Sequence, residues 1–195
     1  RVVVVLNVGG AFGLLELKDD PRVGAVVWAG LPGMEGGHAL ADVLTGTVNP
    51  SGRLAATFAA AVSDYPSDAG FLDSPEYVAY EDDVFVGYRA FETLPGGRDK
   101  VVYPFGHGLS YSVFRLSVPR VLAERDGWSV CCRITNVGRR AGRHSVLVYS
   151  SVAGGLAEHP AIELRGFAKT ALLQPGEGQD VAVRVTRQDL AFSDD

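Results

Sequence analysis

Residues 101–114 read VVYPFGHGLSYSVF, and the chain changes architecture across them. Pro104, Gly106 and Gly108 set one fixed φ and two high-freedom positions that neither a helix nor a central strand tolerates. Tyr103, Phe105, Leu109, Tyr111 and Phe114 add apolar and amphipathic mass. Flexible linkers are polar, so a junction this aromatic is expected to pack between two bodies with little freedom.

Upstream, residues 2–6 (VVVVL) form a β-branched run that predicts a strand buried on both faces. Residues 12–17 offer one helical turn, stopped by Asp19-Asp20-Pro21. Residues 23–28 (VGAVVW) predict a second buried strand, ending at the loop Gly30-Leu31-Pro32-Gly33. The clearest helical pattern runs over 35–44, with Leu40, Val43 and Leu44 on one face and Gly46 as its C-terminal cap. Asn49-Pro50-Ser51-Gly52 reads as a turn and 53–58 as a short strand. Residues 59–76 have no period, and such lengths belong near a binding or partner surface. Strand formers fill 77–91 around Glu81, Asp82, Asp83 and Gly87, and 94–100 is an exposed turn. Strand, loop, strand, glycine loop and helix predict an α/β unit, though not a whole one.

Downstream the rhythm is β. Residues 113–118, 128–135, 143–149, 162–169 and 179–185 read as strands. Turns stand at Asn136-Val137-Gly138, Ala153-Gly154-Gly155 and Gln174-Pro175-Gly176-Glu177. This spacing predicts a β-sandwich with about five strands, where the immunoglobulin-type architecture has about seven. The predicted fold class is α/β followed by all-β: an incomplete α/β portion over 1–110 packed against an incomplete sandwich over 111–195. A sequence that opens inside a strand and stops before its sandwich closes reads as a piece of a longer protein, with uncovered sheet edges that favour association.

With 47% apolar and 21% charged residues, the composition is that of an ordinary globular surface around a sizeable core. A net charge of −5, with no Lys/Arg run beyond two residues, argues against a nucleic-acid partner. The apolar run at 2–6 is too short to span a membrane. Cys131 and Cys132 are adjacent in a strand pattern, so their side chains take opposite faces and read as small hydrophobes. His38, His107, His144 and His159 lack ligand spacing, so no metal site and no cofactor is expected. The compartment is not written in the sequence; a bacterial cytoplasmic one is the default expectation.

Several segments together resemble the glycoside hydrolase family 3 β-glucosidases: VVVVLNVGG at 2–10, WAGLPGMEGGHALADVLTGTVNPSGRLAATF at 28–58, EDDVFVGYRAFET at 81–93 and YPFGHGLSYSVF at 103–114. ITNVGRRAGRHSVLVY at 134–149, ELRGFAKTALLQPGE at 163–177 and, more loosely, LAFSDD at 190–195 continue the likeness in order. In that family a (β/α)8 barrel supplies an aspartate nucleophile. An α/β sandwich domain commonly supplies the acid/base glutamate, and a fibronectin type III-like domain packs behind. The resemblance implies that residues 1–110 are the last part of the α/β sandwich domain and 111–195 most of the fibronectin-like domain. It implies hydrolysis of terminal non-reducing β-D-glucosyl residues with retention, by a complete enzyme whose barrel would be this chain's partner. Neither catalytic carboxylate has a matching position here, so the 195 residues alone are expected to be inactive. The sequence departs from the family pattern at Asp82, at Ser112 (usually Thr), and at His144 and Leu147 (usually Glu and Gln).

Each candidate residue has a plainer reading beside the functional one. Asp82, within the acidic run 81–83, could touch a sugar, but adjacent strand residues point to opposite faces and cannot flank one glycosidic bond. Arg89 in the apolar strand 77–91 is expected to pair with Asp82 or Asp83. Trp28, Met34, Glu35 and His38 flank the glycine loop and could form a substrate rim or domain interface; the alternative is a core Trp and a first-turn Glu favoured by the helix dipole. Tyr103, Phe105, Tyr111 and Phe114 could form a saccharide platform, against a core role at the junction. The competing functions are a β-glucosidase piece, a non-catalytic carbohydrate-binding module and a scaffold for a separate barrel.

Overall fold

The protein is described by a computed structural model over residues 1–71, 74–152 and 159–191. The turn expected at Ala153-Gly154-Gly155 and residues 192–195 of the last matching segment lie outside the described residues. The chain divides into two compact units. One comprises Arg1–Ala41, Leu54–His107 and Val152–Ile162; the other comprises Asp42–Arg53, Gly108–Ser151 and Glu163–Asp195.

In the first unit β1 (Val2–Leu6) and β2 (Val23–Trp28) pair in parallel, with Val4 opposite Val26 and Leu6 opposite Trp28. Between them α1 (Leu15–Asp19) is the single helical turn that the short apolar segment predicted. Burial on both faces is not what β1 shows: Val2 and Val3 are exposed, and only its C-terminal end reaches the core. Among the described residues this sheet has two strands. The core is Leu6, Leu14, Phe58 and Val102, with Phe12, Val26, Trp28, Leu54 and Tyr103 packed around it. Phe58 is fully buried, and both Phe12 and Trp28 meet its ring edge-on.

α2 (Gly36–Thr45) replaces the helix expected over 35–44, so Glu35 precedes the first turn, where its backbone oxygen accepts from Ala39 N at 3.0 Å. A side chain at Gly36 would lie 2.5 Å from Pro32 Cγ, which reserves the helix start for glycine. At the other end Gly46 caps as predicted, at φ +78°. The strand expected at 53–58 shrinks to β3 (Phe58–Ala59), paired antiparallel with β4 (Val101–Tyr103). The aperiodic 59–76 stretch contains a 3-10 turn at Val62–Asp64 and α3 (Asp68–Phe71).

The larger correction falls on 77–91. Its strand formers do not make a strand: residues 83–84 form a turn, and Tyr88–Thr93 is a helix, α4. Gly87, at φ 57° and ψ −128°, breaks the extended run immediately before α4. Ring contacts then hold the helix where β-pairing would have held a strand. Tyr88 stacks on Phe105 at 4.8 Å and Phe91 meets Tyr65 edge-on at 5.5 Å. Arg89 therefore lies in the first turn of a helix.

The second unit is two sheets. One contains β5 (Phe114–Leu116), β6 (Arg120–Glu124), β7 (Gly127–Asn136) and β10 (Gly178–Thr186), with β7 paired antiparallel to the other three. The other pairs β8 (Ser145–Ser150) with β9 (Glu163–Lys169). The four long strands fall within two residues of their predicted bounds, whereas β6 was not predicted. Along β10, Val181, Val183 and Val185 are buried while Asp180, Ala182 and Arg184 face out, a period of two that sets the register against β7. Cys132, Ile134, Leu173 and Val181 form the core, and Cys131 and Cys132 are both free thiols.

A polar knot closes this unit. Asn136, at 0% exposure, accepts at Oδ1 from the Ser112 hydroxyl (2.7 Å) and Gly138 N (3.1 Å). Its Nδ2 donates to the Arg140 and Leu173 carbonyls at 2.8 and 2.9 Å. A Cβ at Gly138 would sit 2.2 Å from Ser112 Oγ, so the glycine two residues on lets the loop fold onto its own hub. Asn136→Ala removes the partner of four buried or half-buried groups, with an expected loss of about 2–4 kcal/mol. Chemical denaturation checks this: the midpoint should fall at unchanged slope. A midpoint indistinguishable from the parent's would remove Asn136 from the account of stability.

Candidate functional site

From Ala29 through the first turn of α2 the functional side chains Met34, Glu35 and His38 project outward, and Trp28 just before them anchors the segment. Trp28, at the end of β2, turns into the core, and its Nε1 donates to Val8 O at 3.1 Å. It is partly buried against the core. Met34 is 97% exposed. Beside it His38 Nδ1 and Glu35 Oε2 lie 2.7 Å apart, both side chains in water. A solvated pair three residues apart contributes little to stability. What the segment offers is a carboxylate paired with an imidazole, next in sequence to an exposed thioether.

Asp82 stands elsewhere, half-buried in a turn whose carbonyl accepts from Phe85 N at 2.8 Å; its neighbour Asp83 takes φ +47°. Glu81 and Asp83 are exposed. Consecutive carboxylates in one turn do not face each other across a gap of about 5–5.5 Å, as retaining glycoside cleavage requires. Among the described residues no cluster of three His, Cys, Asp or Glu side chains could hold a metal, and no helix is long and apolar enough to cross a membrane.

The aromatic residues near the junction are each occupied within their own unit. Tyr103 stacks on His107 at 5.3 Å, Phe105 on Tyr88, and Phe114 lies tilted against His144 at 5.1 Å. Tyr111 is partly exposed, but its hydroxyl donates to Val43 O at 2.8 Å.

Two open depressions of about 290 and 360 Å3 share Tyr65 and Asp68. The Tyr65 hydroxyl donates to Thr57 O and accepts from Ala59 N, at 2.9 and 3.0 Å, so both its bonding roles are filled by backbone. Burial pushes its pKa up, against the opposing Ala59 N–H bond. Tyr65 is a structural pin.

Sequence reading missed a second organised polar group. Asn49, predicted only as part of a turn, accepts at Oδ1 from Ser110 Oγ and Tyr111 N at 2.9 and 2.8 Å and donates to Ala141 O at 2.9 Å. Arg53 donates to Gly108 O and, at 3.2 Å, to His144 Nδ1. A guanidinium only donates, so Nδ1 is the acceptor and His144 is the neutral Nε2–H tautomer. Burial, then the Arg53 charge, pushes the His144 pKa below its ordinary 6.5. Burial also lowers that of Arg53. The available signal was the pair of Asn residues in the turns at 49–52 and 136–138, a side chain suited to binding backbone.

Residues 1–111 match the glycosyl hydrolase family 3 C-terminal domain and residues 144–195 a fibronectin type III-like domain. The chain is 44% identical over 209 aligned residues to Beta-glucosidase A of Butyrivibrio fibrisolvens, covering 100% of this chain and 25% of the relative. To Beta-glucosidase B of Emericella nidulans it is 42% identical over 184 residues, 89% of this chain and 21% of the relative. Among solved structures it is similar to beta-glucosidase 3B from Thermotoga neapolitana in complex with glucose. There the TM-score is 0.90 and the identity 37%, over 100% of this chain and 27% of that one. The chain thus spans about a quarter of the length of these relatives.

The Arg53–His144 contact has a pH sign. A histidine whose folded pKa lies below its unfolded value binds fewer protons when folded, so its stabilisation is present above that value and lost as pH falls toward the folded one. Denaturation midpoints are expected to drop below pH 6.5, the ordinary value for the group. His144→Gln, neutral throughout, should flatten that drop. An equal drop in the variant would assign the dependence to other groups.

Proposed function

The chain belongs to glycosyl hydrolase family 3, and from that premise we propose that it serves as the non-barrel portion of a retaining β-glucosidase. The substrate class is terminal non-reducing β-D-glucosyl residues. Nucleophile and acid/base come from outside these 195 residues, the nucleophile from a (β/α)8 barrel. The α/β portion occupies 1–110 and the fibronectin-like portion 111–195. The observation that carries this reading is likeness along the whole chain to β-glucosidases, one of them solved with glucose.

Retaining cleavage places one carboxylate to attack the anomeric carbon and a carboxylic acid to protonate the leaving oxygen, about 5–5.5 Å apart. The described carboxylates support the assignment of both roles elsewhere, because Glu35 is solvated against His38 and Asp82 sits in a turn. Met34, Glu35 and His38 are proposed as rim or interface contacts, with Trp28 fixing the strand end behind them, and Asp82 as a second rim contact. Rim residues alter substrate binding more than the chemical step, so their loss in a complete enzyme is expected to move KM more than kcat.

The chain alone should not turn over an activated aryl β-D-glucoside from about pH 4 to about pH 8. The barrel-containing protein should do so, with Glu35→Ala and Asp82→Ala retaining kcat within about tenfold. Turnover by the isolated chain that collapses by orders of magnitude in either variant would make that residue catalytic and sink the proposal.

A further inference from the structure

We propose that the outer edge of β6 is a self-association surface, where a second copy of the chain adds its own β6 antiparallel about a two-fold axis at Leu122. β6 pairs with β7 along one side, and among the described residues no strand pairs along the other. All five of its residues are exposed, Val121 at 64% and Leu122 at 53%. Unpaired strand edges template the addition of another strand unless proline, bulges or repelling charges block them. Pro119 lies just before β6 rather than within it, and the register to β7 runs without a shift from Arg120 opposite Cys131 to Glu124 opposite Gly127.

The order of side chains decides the occupant. Read across an antiparallel pair centred on Leu122, the segment Arg-Val-Leu-Ala-Glu is its own complement. Arg120 faces Glu124 of the second copy, Glu124 faces that copy's Arg120, Val121 faces Ala123, and Leu122 faces itself. Parallel addition would set Arg against Arg and Glu against Glu. Shifting the antiparallel register by one residue leaves both charges without their opposites. Opposite charges directly across a strand pair stabilise and like charges destabilise, so this pattern selects one partner, one direction and one register. Arg120, Leu122 and Glu124 share the sheet face that carries Ser129 and Arg184. There Arg184 Nε already stands 3.5 Å from the Glu124 carboxylate, with 60% and 38% of the two side chains still exposed. A carboxylate accepts from two guanidiniums, so Arg120 of the second copy completes an Arg–Glu–Arg row.

The test is sedimentation velocity of the full chain over about a hundredfold concentration range in the micromolar region. It is run beside Arg120→Glu, Glu124→Arg and the double swap, with circular dichroism confirming that each is folded. A dimer is expected for the parent. Each single swap creates two like-charge pairs per interface and should weaken it by about tenfold or more. The double swap restores opposite charges across the axis while still lacking the Glu124–Arg184 contact, and should recover the dimer to within about threefold of the parent. A parent that stays monomeric overturns the proposal. So does a dimer indifferent to the single swaps, or a double swap no better than either single.

Discussion

A carboxamide taken out of water must have every hydrogen bond returned to it, and Asn136 shows how much structure that demand organises. Its two donors and its oxygen meet the segment before β5, the loop after β7 and the turn at Leu173. Gly142 and Leu173 then exchange backbone bonds in both directions at 3.0 and 2.9 Å, and Asn136 N donates to Glu177 O. None of these segments is regular, and the hydrophobic effect, which has no direction, could not choose their positions. Polar groups that can be satisfied in one arrangement only turn a loosely specified end of a sandwich into a single structure.

Asn49 applies the same device to the segment 42–53. Through Asn49, the Arg53 bonds to Gly108 O and the His144 ring, and the 3.1 Å bond from Arg140 to Gly46 O, that segment is sewn into the β-rich unit by side chains, most of them bonding backbone. Two of the four positions where this sequence departs from its family's pattern, Ser112 and His144, fall on these knots. Ser112 keeps the hydroxyl that reaches Asn136, so its change is conservative in the one respect that matters. His144 puts a neutral acceptor against Arg53 where the family resemblance implies a carboxylate, and burial with the Arg53 charge holds its pKa below the ordinary histidine value.

The first unit is held differently. Its core centres on the buried Phe58 with rings and aliphatic chains around it; Trp28 is pinned by one bond to backbone and Tyr65 by two. The loop that begins after Trp28 is thus fixed at its base and solvated at its tip. That is the form of a surface meant to meet something, since Met34 gains nothing by facing water. The proposed role, rim or interface of a larger glycosidase, uses the rigidity of the base and the chemistry of the tip.

Much of this was legible in the residues. Period-two alternation at 128–135 and 179–185 specified β7 and β10, because one face of a sheet must be apolar. Gly46 marked the end of α2 because its left-handed φ suits glycine. The ordered family segments also placed the chain in its family before any coordinate was known. Tertiary structure decided the rest. The last of the strand formers at 77–91 entered helix α4, where ring contacts from Tyr65 and Phe105 hold Phe91 and Tyr88, and local propensity is weaker than such packing. β6 escaped notice because Arg-Val-Leu-Ala-Glu does not alternate; only its pairing with β7 makes it a strand. Trp28 packs against the core and bonds Val8 O, and two asparagines read as turns became hubs. Whether a side chain meets water or a partner depends on segments tens of residues away, which no local pattern contains.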